Sequence, residues 1–169
     1  MSLIPHWLIA LVALQRLLEL ALARRNTARL LASGAYEVGA NHYVLIVALH
    51  VGWLAALWIA VPASASISWP WLAAYLALEC GRVWVMLTLG RFWTTRIIHL
   101  PGAPLVRSGP YRLVRHPNYA IVCGEIAVLP LVFGQWPIAL VFSILNAAAL
   151  AWRIQVENAA LAARPSGSP

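Results

Sequence analysis

The sequence predicts an all-α integral membrane protein of about five transmembrane helices, the last two open to forming a short helical hairpin. Three observations carry that reading. Hydrophobic residues make up 62% of the 169-residue chain, charged ones only 10%, and mean hydropathy is +0.78, which leaves too little charge to cover a water-exposed surface. Apolar windows recur at residues 3–23, 42–61, 69–89, 119–133 and 136–156, most of them near the ~20 residues that cross roughly 30 Å of hydrocarbon. The basic residues alternate with these windows. Ten of the twelve, all Arg, follow the first, third and fifth segments, whereas the connections 62–68 and 134–135 carry no charge. The positive-inside rule then puts the basic loops and the C-terminus in the cytoplasm and the N-terminus outside, and a Lys-free, Ala- and Arg-rich composition points to a GC-rich bacterial genome and hence to a bacterial inner membrane. The whole chain reads as one membrane domain, residues 1–90 giving three N-terminal helices and 91–169 a polar loop with the C-terminal pair.

In the first segment, Gln15, Arg16 and Glu19 interrupt the apolar run, and no basic stretch precedes it, so it is read as a retained helix and not as a secretory signal. Arg16 and Glu19 are three apart and share a helix face. Glu79 and Arg82 repeat that spacing in the third segment, so the two helices are expected to exchange partners across a buried polar seam. His42 and His50 on the second segment lie about two turns apart, which fits pocket lining or satisfied polar contacts better than haem ligation, since haem between helices takes His from facing segments. Cys80 and Cys123 lack the clustered spacing of a metal site, and no metal is expected. The fourth segment, about 15 residues long, is short for a full crossing. Trp residues gather toward segment ends, where interfacial belts place them.

The net charge of +7 is accounted for by this topology and does not call for nucleic acid. No glycine-rich phosphate loop, Rossmann fingerprint or hydrolase triad order is present. What stands out is Arg112-Leu113-Val114-Arg115-His116-Pro117-Asn118-Tyr119, five polar or ionisable side chains set between strongly apolar segments. Such groups are costly near hydrocarbon and mark function there. Pro117 biases His116 away from helical geometry, so the backbone there can present donors to a ligand. The bland alternative is that Arg112 and Arg115 only anchor a helix end. Farther on, Arg153 and Glu157 are four apart on the last helix, which is either an ordinary surface pair or a carboxylate and guanidinium aimed at the same loop. A pocket of one Glu, several Arg, a His and aromatic rings suits a zwitterion on its water side, the carboxylate meeting an amine and the Arg meeting a carboxylate.

Gly109-Pro110-Tyr111-Arg112, Arg115-His116-Pro117-Asn118-Tyr119, a hydrophobic hairpin and then Arg153-Ile154-Gln155-Val156-Glu157 resemble the isoprenylcysteine carboxyl methyltransferase family, and the basic, glycine-containing stretch 24–43 is similar to that of its short bacterial members. The resemblance covers about residues 89–161. It implies a multi-helix membrane enzyme that binds S-adenosylmethionine in a cytosol-facing pocket, with a lipophilic acceptor entering from the bilayer between helices. On that basis Tyr111, Arg115, His116, Asn118 and Tyr119 would line the cofactor site, Pro117 would shape its turn and Glu157 would hold the methionine portion. Arg153 would orient the acceptor oxygen and Glu125 would complete the polar pocket, the two being the catalytic candidates. The chain departs from the family in having Glu157-Asn158 where many members carry two Glu, and in lacking the aromatic and basic tail that follows. These departures leave the acceptor open, with alkylresorcinol- or alkylpyrone-type lipids, and hence a hydroxyl or a carboxylate, implied by the short bacterial relatives. Two other readings are an NADPH-dependent reductase of an isoprenoid or sterol-like lipid and a small transporter, although no internal repeat supports the latter. Oligomeric state is open.

Overall fold

The computed structural model describes residues 3–39, 41–103 and 106–162; Arg164 and the side chain of His42 lie outside that description. Five α-helices account for most of it: α1 Ile4–Ala32, α2 Asn41–Ala60, α3 Trp69–Leu89, α4 Pro117–Val132 and α5 Trp136–Ala162. Four are long and apolar enough to cross a bilayer, and α4 is the short one. At 16 residues, α4 rises about 24 Å, less than the ~30 Å hydrocarbon core.

The first and last helices outrun their apolar windows. α1 runs on to Ala32, so Arg24, Arg25 and Arg29 are helical and not part of a loop, because nothing between Ala23 and Gly34 breaks a helix and Arg is a good helix former. Gly34, at φ +88°, supplies the turn that ends it. α5 likewise reaches Ala162, and at 27 residues, about 40 Å, it carries its last turns beyond the apolar zone. The segments 62–68 and 134–135 turn at one end of the bundle. Exposed Trp7, Trp58, Trp69, Trp71 and Trp136 gather there, as aromatic residues do at a membrane interface. Arg24, Arg25, Arg29, Arg91, Arg112 and Arg115 lie at the other, basic end.

One apolar core runs through the bundle. Ile9 and Val12 of α1, Leu49, Trp53 and Leu57 of α2, Tyr75 of α3, Val122, Ile126 and Leu129 of α4, and Ala149 of α5 are all buried in it. A smaller cluster of Ala23, Val85 and Trp93, with Tyr111 and Ile121 packed against it, lies under the basic end. α4 packs chiefly on α3 and α5. Small residues allow the close approach: a Cβ on Gly81 would meet Ile121 at 3.3 Å, and one on Gly124 would meet Leu78 at 2.8 Å. At its far end α4 is held by the Val132 carbonyl, which accepts from the Ser68 amide at 2.9 Å.

A polar seam crosses the middle of the bundle, and it is larger than the Arg16/Glu19 and Glu79/Arg82 spacing implied. Arg16 bonds Glu19 at 2.8 Å and Glu79 at 2.6 Å, and lies 3.2 Å from Glu125. Gln15 bridges Glu19 at 3.1 Å and Glu79. Arg82 grips Glu125 with two nitrogens, Nε to Oε1 at 2.7 Å and the terminal nitrogen to Oε2.

Between α3 and α4, residues 90–103 and 106–116 form an irregular layer at the basic end. It includes the short 3-10 turns Gly90–Phe92 and Gly109–Arg112 and one strand, β2 Ile98–His99, which pairs antiparallel with β1 Tyr36–Glu37 in the α1–α2 connection. These two-residue strands escaped the sequence reading because they carry no periodicity. The layer is pinned from below. Asn26 of α1, buried at 4% exposure, donates to the carbonyls of Trp93 at 2.9 Å and Gly90 at 3.3 Å. Gly109 fixes its other end. Its φ is +54°, and a Cβ there would meet Thr88 Oγ1 at 2.6 Å and Trp84 Nε1 at 3.2 Å.

Gly109→Ala therefore combines a left-handed backbone conformation, costing roughly 1–2 kcal/mol, with a clash against α3. We expect thermal unfolding of the detergent-purified protein at a temperature several degrees below wild type. A Gly102→Ala change, at φ +74° but with nothing within 4 Å, should cost less.

Candidate functional site

The layer roofs a cavity of about 1050 Å³ at the basic end. Its walls come from the strap 92–100, the turn 106–116, the first residues of α4 and the cytoplasm-proximal part predicted for α5. Tyr111, Arg115, His116, Asn118, Tyr119, Arg153 and Glu157 all line it. Pro117 is buried at the start of α4, where its missing N–H is harmless, and it sets the exit of His116 and Asn118 toward the cavity. Glu125 is not among the lining residues. It is 3% exposed and engaged by Arg82, because it lies deeper along α4 on the face toward α3.

At the centre is a relay between α4 and α5. Arg153 Nε donates to the Tyr119 hydroxyl at 2.8 Å, and that hydroxyl donates to Glu157 Oε2. Arg153 and Glu157, expected as a direct i, i+4 pair or as two arms of a pocket, are thus joined through Tyr119. The Arg153 guanidinium also stacks 5.5 Å from the Tyr119 ring centre and donates to the Thr95 carbonyl at 2.9 Å. One buried side chain (7% exposed) therefore ties α4, α5 and the strap together. The His116 ring lies nearly parallel to Tyr119, at 5.2 Å and 16°, with Nδ1 4.0 Å from Glu157.

Two polar atoms in this wall are buried without any partner among the described residues: His116 Nε2 and Asn118 Oδ1. Native interiors rarely leave such atoms unsatisfied. A ligand with its own donors and acceptors answers both.

The strap has its own fastening, which sequence reasoning missed. Arg96 donates to Glu37 at 2.7 Å and lies 4.4 Å from the Tyr43 ring centre; that bond to the Glu37 carboxylate raises the proton affinity of the already cationic Arg96. Asn26, Glu37, Trp93 and Thr95 belong to the site's framework, yet none sits in a recognisable motif, because their roles come from pairing across more than 50 residues of sequence. Burial, and then the charge of Glu157, push the Tyr111 phenol up to about 12, so it stays a neutral donor. Arg107, Arg112 and Arg115 are exposed on the rim and make no hydrogen bond or ion pair among the described residues.

Residues 71–163 match the model of the isoprenylcysteine carboxyl methyltransferase family, a span that contains α4, α5, the layer and every residue of the relay. The chain belongs to that family. A curated relative, the uncharacterized protein YpbQ of Bacillus subtilis, is 38% identical over 159 residues, covering 91% of this chain and 94% of its own. No solved structure matches. Membership makes the chain a membrane methyltransferase in the general sense, and members of the family depend in general on S-adenosylmethionine.

The Tyr119 hydroxyl serves both Arg153 and Glu157, so Tyr119→Phe leaves two partners short of one bond each. We expect a loss of about 1–3 kcal/mol in unfolding free energy, measured as a lowered melting temperature, with no comparable loss in Tyr111→Phe.

Proposed function

We propose that this methyltransferase uses S-adenosylmethionine to methylate the carboxylate or hydroxyl oxygen of a lipophilic acceptor drawn from the bilayer, at the cytoplasmic face of a bacterial inner membrane. The N-terminus lies outside. The observation that carries the reading is the pair of unsatisfied atoms, His116 Nε2 and Asn118 Oδ1, set beside the Glu157 carboxylate in the wall of the basic-end cavity. The cofactor presents an ammonium, a carboxylate and an adenosine edge, and the wall offers a chemical match for each. Glu157 takes the ammonium, the Arg115 guanidinium takes the carboxylate in a charge-assisted bond, and His116 with Asn118 take polar edges that would otherwise cost them unmade hydrogen bonds. When bound, the cofactor supplies an electrophilic sulfonium methyl.

The chain's own part is positioning. Arg153 holds a fixed positive charge where the acceptor oxygen must sit, and its bonds to Tyr119 and Thr95 keep it from turning. Holding two reactants in line accounts for a large part of such a rate enhancement. A carboxylate acceptor arrives deprotonated and needs no base. A hydroxyl acceptor requires one, and His116 is the titratable group of the wall suited to take its proton.

S-adenosylmethionine and S-adenosylhomocysteine are each expected to raise the melting temperature of the purified protein, since a ligand at 100 times its Kd adds about 2.7 kcal/mol, whereas NADPH leaves it unchanged. Stabilisation by NADPH alone would install the reductase reading instead. A folded His116→Ala, Glu157→Ala double variant should lose the S-adenosylmethionine shift. In Arg153→Ala the turnover should fall by on the order of tenfold or more while cofactor affinity changes less, the pattern of an interaction made mainly in the transition state.

A further inference from the structure

The methyl-transfer chemistry leaves the six-residue seam in the middle of the bundle without a task. Two guanidiniums and three carboxylates at that depth are expensive to keep. α4 is the element with most at stake. It carries His116, Asn118 and Tyr119 at its first turn, it is too short to span, and it leads in from the irregular turn 109–116, while its far end is held by the Ser68 amide on the Val132 carbonyl. The Gly81 and Gly124 contacts with α3 are apolar and smooth, so they fix its distance from α3 but resist rotation and sliding poorly. On its face toward α3, α4 makes a directional, charged contact: the two-nitrogen grip of Arg82 on Glu125. Arg16 of α1, 3.2 Å from the same carboxylate, backs it. Planar bidentate pairs of this kind define orientation as well as energy.

α3 supports the other end of the site-forming segment as well. Thr88 and Trp84 seat Gly109, about two turns along α3 from Arg82, so both ends of 109–125 are registered to one helix. We infer that Glu125 and Arg82 are positioning residues for the cofactor site: their fork sets the rotation and depth of α4 so that Tyr119 meets Arg153 and Glu157 on α5, and Glu125 takes no part in proton transfer. Its functional consequence rests on the cofactor reading of the Glu157 cavity.

The test compares Glu125→Gln with Glu125→Leu. Gln keeps acceptor and shape for Arg82 and leaves two carboxylates against two guanidiniums; Leu removes the fork. Glu125→Gln should retain kcat within about threefold of wild type with an unchanged pH profile. Glu125→Leu should raise the KM for S-adenosylmethionine at least tenfold and lower kcat far less. Loss of kcat above a hundredfold in Glu125→Gln, with cofactor KM intact and a limb of the pH profile gone, would make Glu125 a base and overturn the proposal. Should Glu125→Leu not fold, Arg82→Lys, which keeps the charge but not the fork, takes its place with the same expected direction; unchanged KM in a folded form of either variant overturns the proposal.

A cofactor-independent readout separates this from the functional reading. Spin labels at exposed Leu113 and Gln155, in a background without Cys80 and Cys123, should give a narrow distance distribution in the parent and in Glu125→Gln and a broad one when the fork is removed. A narrow distribution in Glu125→Leu or Arg82→Lys overturns the positioning role. Failure of the parent protein to bind S-adenosylmethionine, with the fork-dependent distances intact, overturns the proposed function alone.

Discussion

Charge in hydrocarbon must be satisfied from within the protein, and in this chain that constraint is met by the contact of Arg82 with Glu125 and the Arg16, Glu19, Glu79 and Gln15 groups gathered around it. Apolar packing alone would hold the bundle together but would not choose among its rotations, since lipid tails compete with Leu and Val on nearly equal terms. A guanidinium and carboxylate in the same environment have no such substitute. Breaking the pair leaves an uncompensated charge, and α1, α3 and α4 are therefore committed to a single mutual arrangement. Removing the seam from consideration makes the rest of the structure hard to account for: α4 would be a short apolar helix with a proline at its first turn, another, Pro130, near its last, and little to set its register.

That arrangement delivers polar side chains to a boundary. α4 begins at the basic end of the bundle, so His116, Asn118 and Tyr119 emerge into the layer of residues 90–103 and 106–116. α5 passes beyond the same level and brings Arg153 and Glu157 alongside. The backbone of the layer, which has few ladder bonds of its own, is satisfied instead by Asn26 from below, by Arg153 from the side and by the short β1–β2 pairing above. Irregular backbone is tolerated where protein meets its polar groups, and here Asn26 and Arg153 do so.

The apolar periods and the Arg distribution made the helices legible, and the shortness of the fourth was visible from its count of apolar residues before Gly134. The Tyr119, Arg153 and Glu157 constellation was legible as a motif, because three of its members lie in two short, charge-dense stretches of an otherwise apolar chain. Its internal wiring was not: helix spacing puts Arg153 beside Glu157, and only the approach of α4 inserts the Tyr119 hydroxyl between them. Glu125 shows the opposite limit. Its place near the motif pointed to the cavity, but six residues of helix turn its side chain away from Tyr119, toward α3, and the guanidinium that claims it lies 43 residues earlier in the chain.

The charge balance of the cavity bears on what it accepts. Glu157 is the carboxylate of its wall, while Arg107, Arg112 and Arg115 stand on the rim and Arg153 within, with Arg96 neutralised by Glu37. An S-adenosylmethionine in place brings a further net positive charge from its sulfonium once the ammonium and carboxylate cancel. A neutral acceptor would leave that excess unrelieved, where like charges repel. An acceptor carrying its own negative charge relieves it, and the relief is greatest at Arg153, the one guanidinium of the set that is both buried and fixed in direction. On the proposed function, the same excess would draw anionic amphiphiles toward the cavity mouth. It would therefore favour a carboxylate, or a phenol acidic enough to ionise there, over an ordinary alcohol as the methylated oxygen, before any contact with the lipid tail is considered.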